Sequence, residues 1–444
     1  ASWDFTWRAQ SAAAPGRKRE MSKDRKIKAA GAAKQPLLGR EGPRSVIASV
    51  VCIFGGVLVG FVVLLLLSVF MDGLSVGDAF TGLVTVLGGP FSSGSLGSSM
   101  FQFGNMLFQS TPLIMTGLSV AIAFKTGLFN IGAPGQYLMG AMSTLLVALS
   151  IPTDKVPAGI VWLLAFIAGI AAGVIWGCIP GLFKAFLGVN EVIVCIMSNW
   201  IAANVVSWVF YSTGESYINV AETKMNFIRK TVTNGVSTPT LGLDKLFSNG
   251  TIKSYMDIGI FIAALFAVGT YIMINRTTFG FELRACGFNR SAAKYAGMNE
   301  RRNIVLSMAL AGGLAAGGAA LWCLNGYQDF GWNTYLSLPA DGFNGIPVAL
   351  LASNNPIGVI FSSIFLRYIS MGGSNLSAQT PFNEYVSELI VAMIIYFSGF
   401  SKFIKDFAAA RAGRSKNSPA GLDIADAGDS SADDDGEDTE GGGI

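Results

Sequence analysis

The run VIASVVCIFGGVLVGFVVLLLLSVFM, residues 46–71, contains no charged side chain. A helix needs roughly 20 mostly apolar residues to cross the hydrocarbon core of a bilayer, so this segment is long enough to span. Arg44 stands just before it, and Lys and Arg are retained on the cytoplasmic side. The segment therefore reads as an uncleaved first span running from cytoplasm to exterior. The rest of the chain repeats the pattern: its 444 residues are 51% hydrophobic and only 13% charged, outside the range of soluble globular domains.

Further apolar stretches at 106–124, 135–150, 157–177, 192–211, 258–274 and 304–324 predict membrane helices. Beyond 338 the apolar sequence is cut by Asn354, Asn355 and Pro356 into two short pieces, and 384–400 brings the chain back. Counting each piece as a crossing gives about ten transmembrane helices, some short or broken. The expectation is an all-α, multi-pass protein of a bacterial cell membrane, surrounded by lipid, with both termini cytoplasmic. Three regions follow: a basic cytoplasmic arm over 1–44, a transmembrane domain over 45–403, and an acidic, disordered cytoplasmic tail over 404–444. Within the middle region, 212–255 falls outside the cell. The stretch 276–303 falls inside, because Arg276, Arg284, Arg290, Lys294, Arg301 and Arg302 crowd it. Met21 is a plausible start, which makes 1–20 an upstream extension.

Two local expectations are worth testing. Val76, Phe80, Leu83, Val84 and Leu87 share one helical face opposite Asp78, Thr81 and Thr85, as in an interfacial helix or a packed loop helix. Pro180 should kink or stop its span, since it lacks the N–H that a helix interior uses. Gly169, Gly173, Gly177 and Gly181 recur every four residues, a face that lets helix backbones approach closely.

Whole function classes drop out on composition. With no histidine in the chain there is no His-based metal site and no His general base, and no metal site is expected. The five cysteines have no paired spacing. The basic arm beside a first span fits membrane orientation better than nucleic-acid binding, so no nucleic-acid partner is expected. No GxxxxGK[ST] loop occurs, and no nucleophile–base pair suggests an enzyme.

Polar residues at membrane depth are costly and so informative. Three clusters combine amides with helix breakers: Asn130 and Gln136 in GLFNIGAPGQYLMGA, Asn190, Glu191 and Asn199 in GVNEVIVCIMSNWIA, and Asn344, beside Phe343, in GFNGIPVALLASNNP. Irregular backbone in a bilayer is tolerated only where protein or a wet cavity satisfies it, which places these residues near a translocation path. Any one of them could equally cap a helix or bond a neighbour. In the cytoplasmic loop, GFELRACGFNRSAAKYAGMNERRN holds a short helical piece at 291–296 with Gly297 placed to end it, an element a soluble partner could grip.

The motifs GLFNIGxxGQ, GVNEVI, GxELRAxGxNxxAAxYAGM and GFNGIPVALLxxNNP resemble permease subunits of bacterial nucleoside ABC importers, a lipoprotein-dependent branch of the ribose and branched-chain amino acid permease superfamily. The likeness runs from about Gly117 to Phe400. It implies one permease of a heteromeric importer, with an extracellular substrate-binding lipoprotein, a second permease that is a different chain, and two cytoplasmic ATP-binding subunits. ATP and Mg would be used by those subunits, and this chain would bind no cofactor. Glu282, Arg284, Gly287, Asn289, Ala292, Ala293 and Gly297 would form the coupling element. Pro134, Asn344 and the Ala352-Ser353 pair depart from the Glu, Asp and Gly-Arg of other members, as one half of an asymmetric pair would. Ribose-like sugars or other small polar solutes are the alternative cargo, and a proton-coupled carrier using Glu191 or Glu388 is the alternative class.

Overall fold

The computed structural model describes residues 41–70, 73–212, 236–250, 252–326, 338–382, 384–398 and positions 400, 403, 404 and 407. The basic arm over 1–40, most of the long loop at 212–255 and the tail after 407 lie outside the described residues. Thirteen helices carry the fold: α1 Glu41–Phe70, α2 Val76–Gly88, α3 Leu96–Lys125, α4 Ala133–Ser150, α5 Ala158–Leu187, α6 Glu191–Ser212, α7 Gly259–Arg276, α8 Thr278–Phe288, α9 Arg290–Tyr295, α10 Glu300–Cys323, α11 Ala340–Leu351, α12 Pro356–Ser374 and α13 Glu384–Ser398. Short helical turns at Gly89–Ser93, Leu243–Leu246 and Leu376–Gln379 link them, and no strand occurs among the described residues. Seven of the helices are long and apolar enough to cross a bilayer. Of the ten expected crossings, seven correspond to these helices; the other three fall on α4, α11 and α13, of 18, 12 and 15 residues, which do not meet that length and hydropathy.

The protein is an all-α polytopic membrane protein built around α3 and α10, the two most enclosed helices. Alongside α10 runs α5, antiparallel, and the glycine ladder explains how closely. A Cβ at Gly173 would lie 2.2 Å from the Ala316 Cβ, and one at Gly177 2.4 Å from the Met308 carbonyl oxygen. Only backbone fits there, so the two helices touch along their whole shared length, the contact that dispersion rewards in a solvent as apolar as the core. Of the two outcomes expected at Pro180, the stop does not occur. Helix α5 continues through it to Leu187 and ends at Gly188, whose φ is +67°. Gly177 and Gly181 on either side lie against Met308 and Val305, and this clamp carries the helix past its missing hydrogen bond.

Around this centre, α1 and α13 pack on each other, with Ile390 against Gly60 and Phe397 against Gly55. Phe54, Leu58, Leu66 and Val69 of α1 face outward, as lipid-facing residues do. Helix α2 packs one face on the bundle and leaves the other exposed. Ala79, Gly82, Thr85 and Val86 pack inward, while Val76, Phe80, Val84 and Leu87 stay exposed. Thr85 is on the packed side because its hydroxyl bonds the Thr81 carbonyl and the Gln379 amide oxygen. A capping box between Ser75 and Asp78 starts the helix.

Lys125 at the end of α3, Lys184 at the end of α5, Arg276 at the end of α7, and Arg301 and Arg302 at the start of α10 all gather at one end of the bundle. This is the basic end, and α8 and α9 lie across it.

Candidate functional site

Between α3 and α4 the chain is not helical over residues 128–130, and the first amide cluster explains how that break is held. Asn130 donates to Ser119 Oγ at 3.0 Å and to Gln136 Oε1 at 2.8 Å. Gln136 donates back to Asn130 Oδ1 at 3.1 Å, and the Gly132 N–H donates to the same oxygen. From α6, Asn199 accepts from the Gly135 N–H at 2.9 Å and donates to the Ile131 carbonyl at 2.9 Å. Asn130, Gln136 and Asn199 are buried to within 1% of their surface. In this conformation their polar atoms satisfy the broken backbone, as a bilayer requires.

The third cluster meets the first through α11. A Cβ on Gly342 would lie 2.5 Å from Pro134 Cα, and one on Gly345 2.6 Å from the Thr116 carbonyl carbon. The neighbours Phe343 and Asn344 are partly exposed, Phe343 by 36%. Ser353 and Asn354 turn the chain with positive φ, and Asn355 caps α12 by accepting from the Ile357 and Gly358 N–H groups. Asn190 and Glu191 sit apart, about 12 Å along α6 from Asn199. Asn190 accepts from the Val192 N–H, and Glu191 pairs with Lys184 at 2.8 Å across the α5–α6 turn.

One pair escaped the sequence reading. Arg367 of α12 forms an ion pair with Asp341 in the first turn of α11, and its Nε donates to the Gln109 carbonyl at 3.2 Å. Arg367 lies about 16 Å along α12 from its start, near mid-helix. Gln109 precedes Pro112 inside α3, where helical bonding is weakened, so one guanidinium ties α3, α11 and α12 together. Asp341 also suits the positive end of the α11 dipole. A lone Arg inside an apolar run was the available signal.

At the basic end, α8 and α9 follow the expected pattern closely. Thr277, Asn289 and Asn299 cap α8, α9 and α10 through their side-chain oxygens. Gly297, at φ +82°, closes α9, with the Met298 N–H bonded to the Ala293 carbonyl at 3.1 Å. Ala293 is buried and Ala292 exposed. Asn303 donates to Glu282 at 3.2 Å, and Arg284 to its own helix at the Gly280 carbonyl. Gly287 lies directly on the end of α3: a Cβ there would be 2.4 Å from the Lys125 carbonyl oxygen. Arg290 donates to the Gly127 carbonyl at 3.2 Å, and Thr126 shares a 2.6 Å hydroxyl contact with Ser307. The element thus grips residues 125–127, three residues short of Asn130 and its amide network. Phe288 and Tyr295, missed in the sequence, are 96% and 93% exposed beside it.

The sequence that builds this bundle, its amide-held turn and its basic element has relatives over most of its length. The family model for the branched-chain amino acid transport system permease component matches residues 102–398. The chain belongs to this permease family. Among its relatives, a guanosine ABC transporter permease of Bacillus subtilis, NupP, is 35% identical over 310 residues, which is 69% of this chain and 83% of the relative. A nucleoside ABC transporter permease of Lactococcus lactis, NupB, is 35% identical over 327 residues, covering 73% and 86%. A glucose ABC transporter permease of Haloferax volcanii, TsgB13, is 31% identical over 314 residues, covering 70% and 79%. No solved structure matches the chain. The permease is a multi-pass protein of the cell membrane, and its relatives are membrane transport components of multi-component ABC systems.

Proposed function

We propose that this permease forms one half of the membrane pathway of an ABC importer for nucleosides. The observation that carries the reading is the close seating of Gly287 and Arg290 on residues 125–127, because it joins a surface element to the buried turn between α3 and α4 that the amide network holds. Cytoplasmic ATP-binding subunits would hold Phe288 and Tyr295, two large aromatic side chains that otherwise face water. They would use ATP and Mg and move α8 and α9 as a body, the rigid-body switch such assemblies need. The displacement would reach Asn130, Gln136 and Asn199, open the amide network, and expose Phe343 and Asn344 on α11. Asn190 and Glu191 would set the inner rim of the path. Glu282, through Asn303, and Asn289, Ala292, Ala293 and Gly297, through the shape of α9, would keep the coupling element rigid. An extracellular lipoprotein would deliver the solute, and a different permease chain would close the other side.

Nucleosides are favoured over sugars because the two relatives at 35% identity carry nucleoside or guanosine names, against 31% for the glucose permease. Cells lacking other nucleoside routes should lose accumulation of labelled guanosine when the gene is deleted and regain it on complementation. Unchanged guanosine uptake with lost uptake of a labelled sugar would transfer the assignment to sugars.

A further inference from the structure

Between the inner end of α5 and the starts of α9 and α10 lies a cleft of about 550 Å³, to which the transport reading assigns nothing beyond the Arg290 contact with residue 127. Lys184, Arg290, Lys294 and Arg301 line it. Against these four cations stand Glu300, also in the wall, and Glu191, which Lys184 already holds at 2.8 Å. Arg290 is engaged with the Gly127 carbonyl, whereas Lys294 and Arg301 are exposed. The cleft therefore carries an excess of positive charge with two exposed donors in its wall.

What adjoins the mouth decides what can enter. Phe183, Phe186 and Leu187 of α5 are 42%, 60% and 68% exposed at the same end of the helix, on a surface that faces lipid. The Arg301 guanidinium lies 5.5 Å from the centre of the Phe186 ring, so the cationic wall and the apolar wall are in direct contact. Arg290 and Lys294, four residues apart, share the face of α9 turned to the cleft. Ser291 and Tyr295 share the next face, which leaves that aromatic surface free for a soluble subunit. A site that is cationic within and apolar at its lip fits an amphiphile with an anionic head.

We propose that this cleft binds the phosphate headgroup of an anionic phospholipid from the adjoining leaflet, its chains lying along Phe183 and Phe186. Basic pockets at helix ends are suited to such headgroups, each cation contributing roughly a five-fold gain near the surface. Lipid binding measured without cargo or ATP is a separate readout, so its failure and that of the transport reading are distinguishable.

The test is titration of fluorescent phosphatidylglycerol into the purified, detergent-solubilised transporter. Saturable binding at one site per permease chain, absent with phosphatidylcholine, is expected. K294Q/R301Q should weaken it roughly 25-fold, about five-fold per charge, while R276Q, which removes a cation from the same end but outside the cleft, should leave it unchanged. Should the double variant fail to fold, K294Q alone, on the exposed side of α9, carries the test with its five-fold loss. Equal weakening by R276Q would show diffuse attraction to the basic end and overturn the proposal. So would displacement by glycerol phosphate at the lipid's own concentration, which would assign the cleft to a soluble anion.

Discussion

A methyl group built on Gly287 would lie 2.4 Å from the Lys125 carbonyl oxygen and 2.9 Å from Thr126 Cα. Both obstacles are backbone, so neither can rotate away, and G287A must push α8 off the end of α3. Overpacking of this kind costs about 1–3 kcal/mol, which a bundle this size tolerates, but the displaced contact is the one that would transmit motion. G287A is therefore expected to assemble normally and to lose at least about ten-fold in ATP-driven uptake. G269A, where nothing lies within 4 Å, is the matched control and should transport as the wild type does. Uptake equal in both variants would remove the coupling role from Gly287. A second residue-scale prediction concerns Asp341. D341N leaves the Arg367 guanidinium at mid-helix without its carboxylate, and breaking such a pair costs about 3 kcal/mol or more. D341N/R367M removes both charges and should recover much of the thermal stability lost in D341N, a coupling that a double-mutant cycle measures. Additive losses would mean that the two side chains act separately.

At the scale of elements, the outer end of α7 holds a carboxyl group under constraint. Asp257 is 2% exposed, accepts from Asn325 at 2.7 Å and from the Gly259 N–H at 2.7 Å, and burial pushes its carboxyl up to about 6. The hydrogen bonds pull the other way but do not win. A raised carboxyl favours the folded state fully only below its ordinary value of 3.8, and that advantage is lost as pH rises through about 6. The loop–helix junction should therefore be tighter at pH 5 than at pH 8, by on the order of 1 kcal/mol, since only the last pH unit of the loss lies above pH 5. Thermal unfolding of the wild type relative to D257N, followed from pH 5 to pH 8, checks this: the wild type should lose ground as pH rises, and a flat difference would reject it. Elements also show what could be read in advance. The stop at Gly297 and the break at Asn354, Asn355 and Pro356 were legible because each follows a local backbone rule; the caps at Thr277, Asn289 and Asn299 obey such a rule too but were passed over. The Arg367–Asp341 pair was not legible, since its members are 26 positions apart and meet only after α11 and α12 fold back on each other. That α5 runs on past Pro180 to Leu187 was hidden for the same reason, since the contacts on either side of it come from α10, more than a hundred residues later.

The whole molecule is organised by a single asymmetry, the gathering of Lys125, Lys184, Arg276, Arg301 and Arg302 at one end of the bundle. The ends of α3, α5 and α7 come together because α4 and α6 return the chain between them, and the start of α10 joins them because α10 runs antiparallel to α5. Lys and Arg are retained inside the cell, so this end should face the cytoplasm and the loop before α7 the exterior. The assignment decides whether an ATPase can reach α9 at all. Y295C and I252C place thiols at opposite ends of α7, at side chains that are 93% and 58% exposed. The native cysteines give little background, since four are buried and Cys178 is partly so. A membrane-impermeant maleimide should label I252C in intact cells and Y295C only after permeabilisation, and co-expressed ATP-binding subunits should then shield Y295C. Labelling of Y295C from outside would put α9 on the wrong face of the membrane, and no cytoplasmic subunit could then act on residues 125–127.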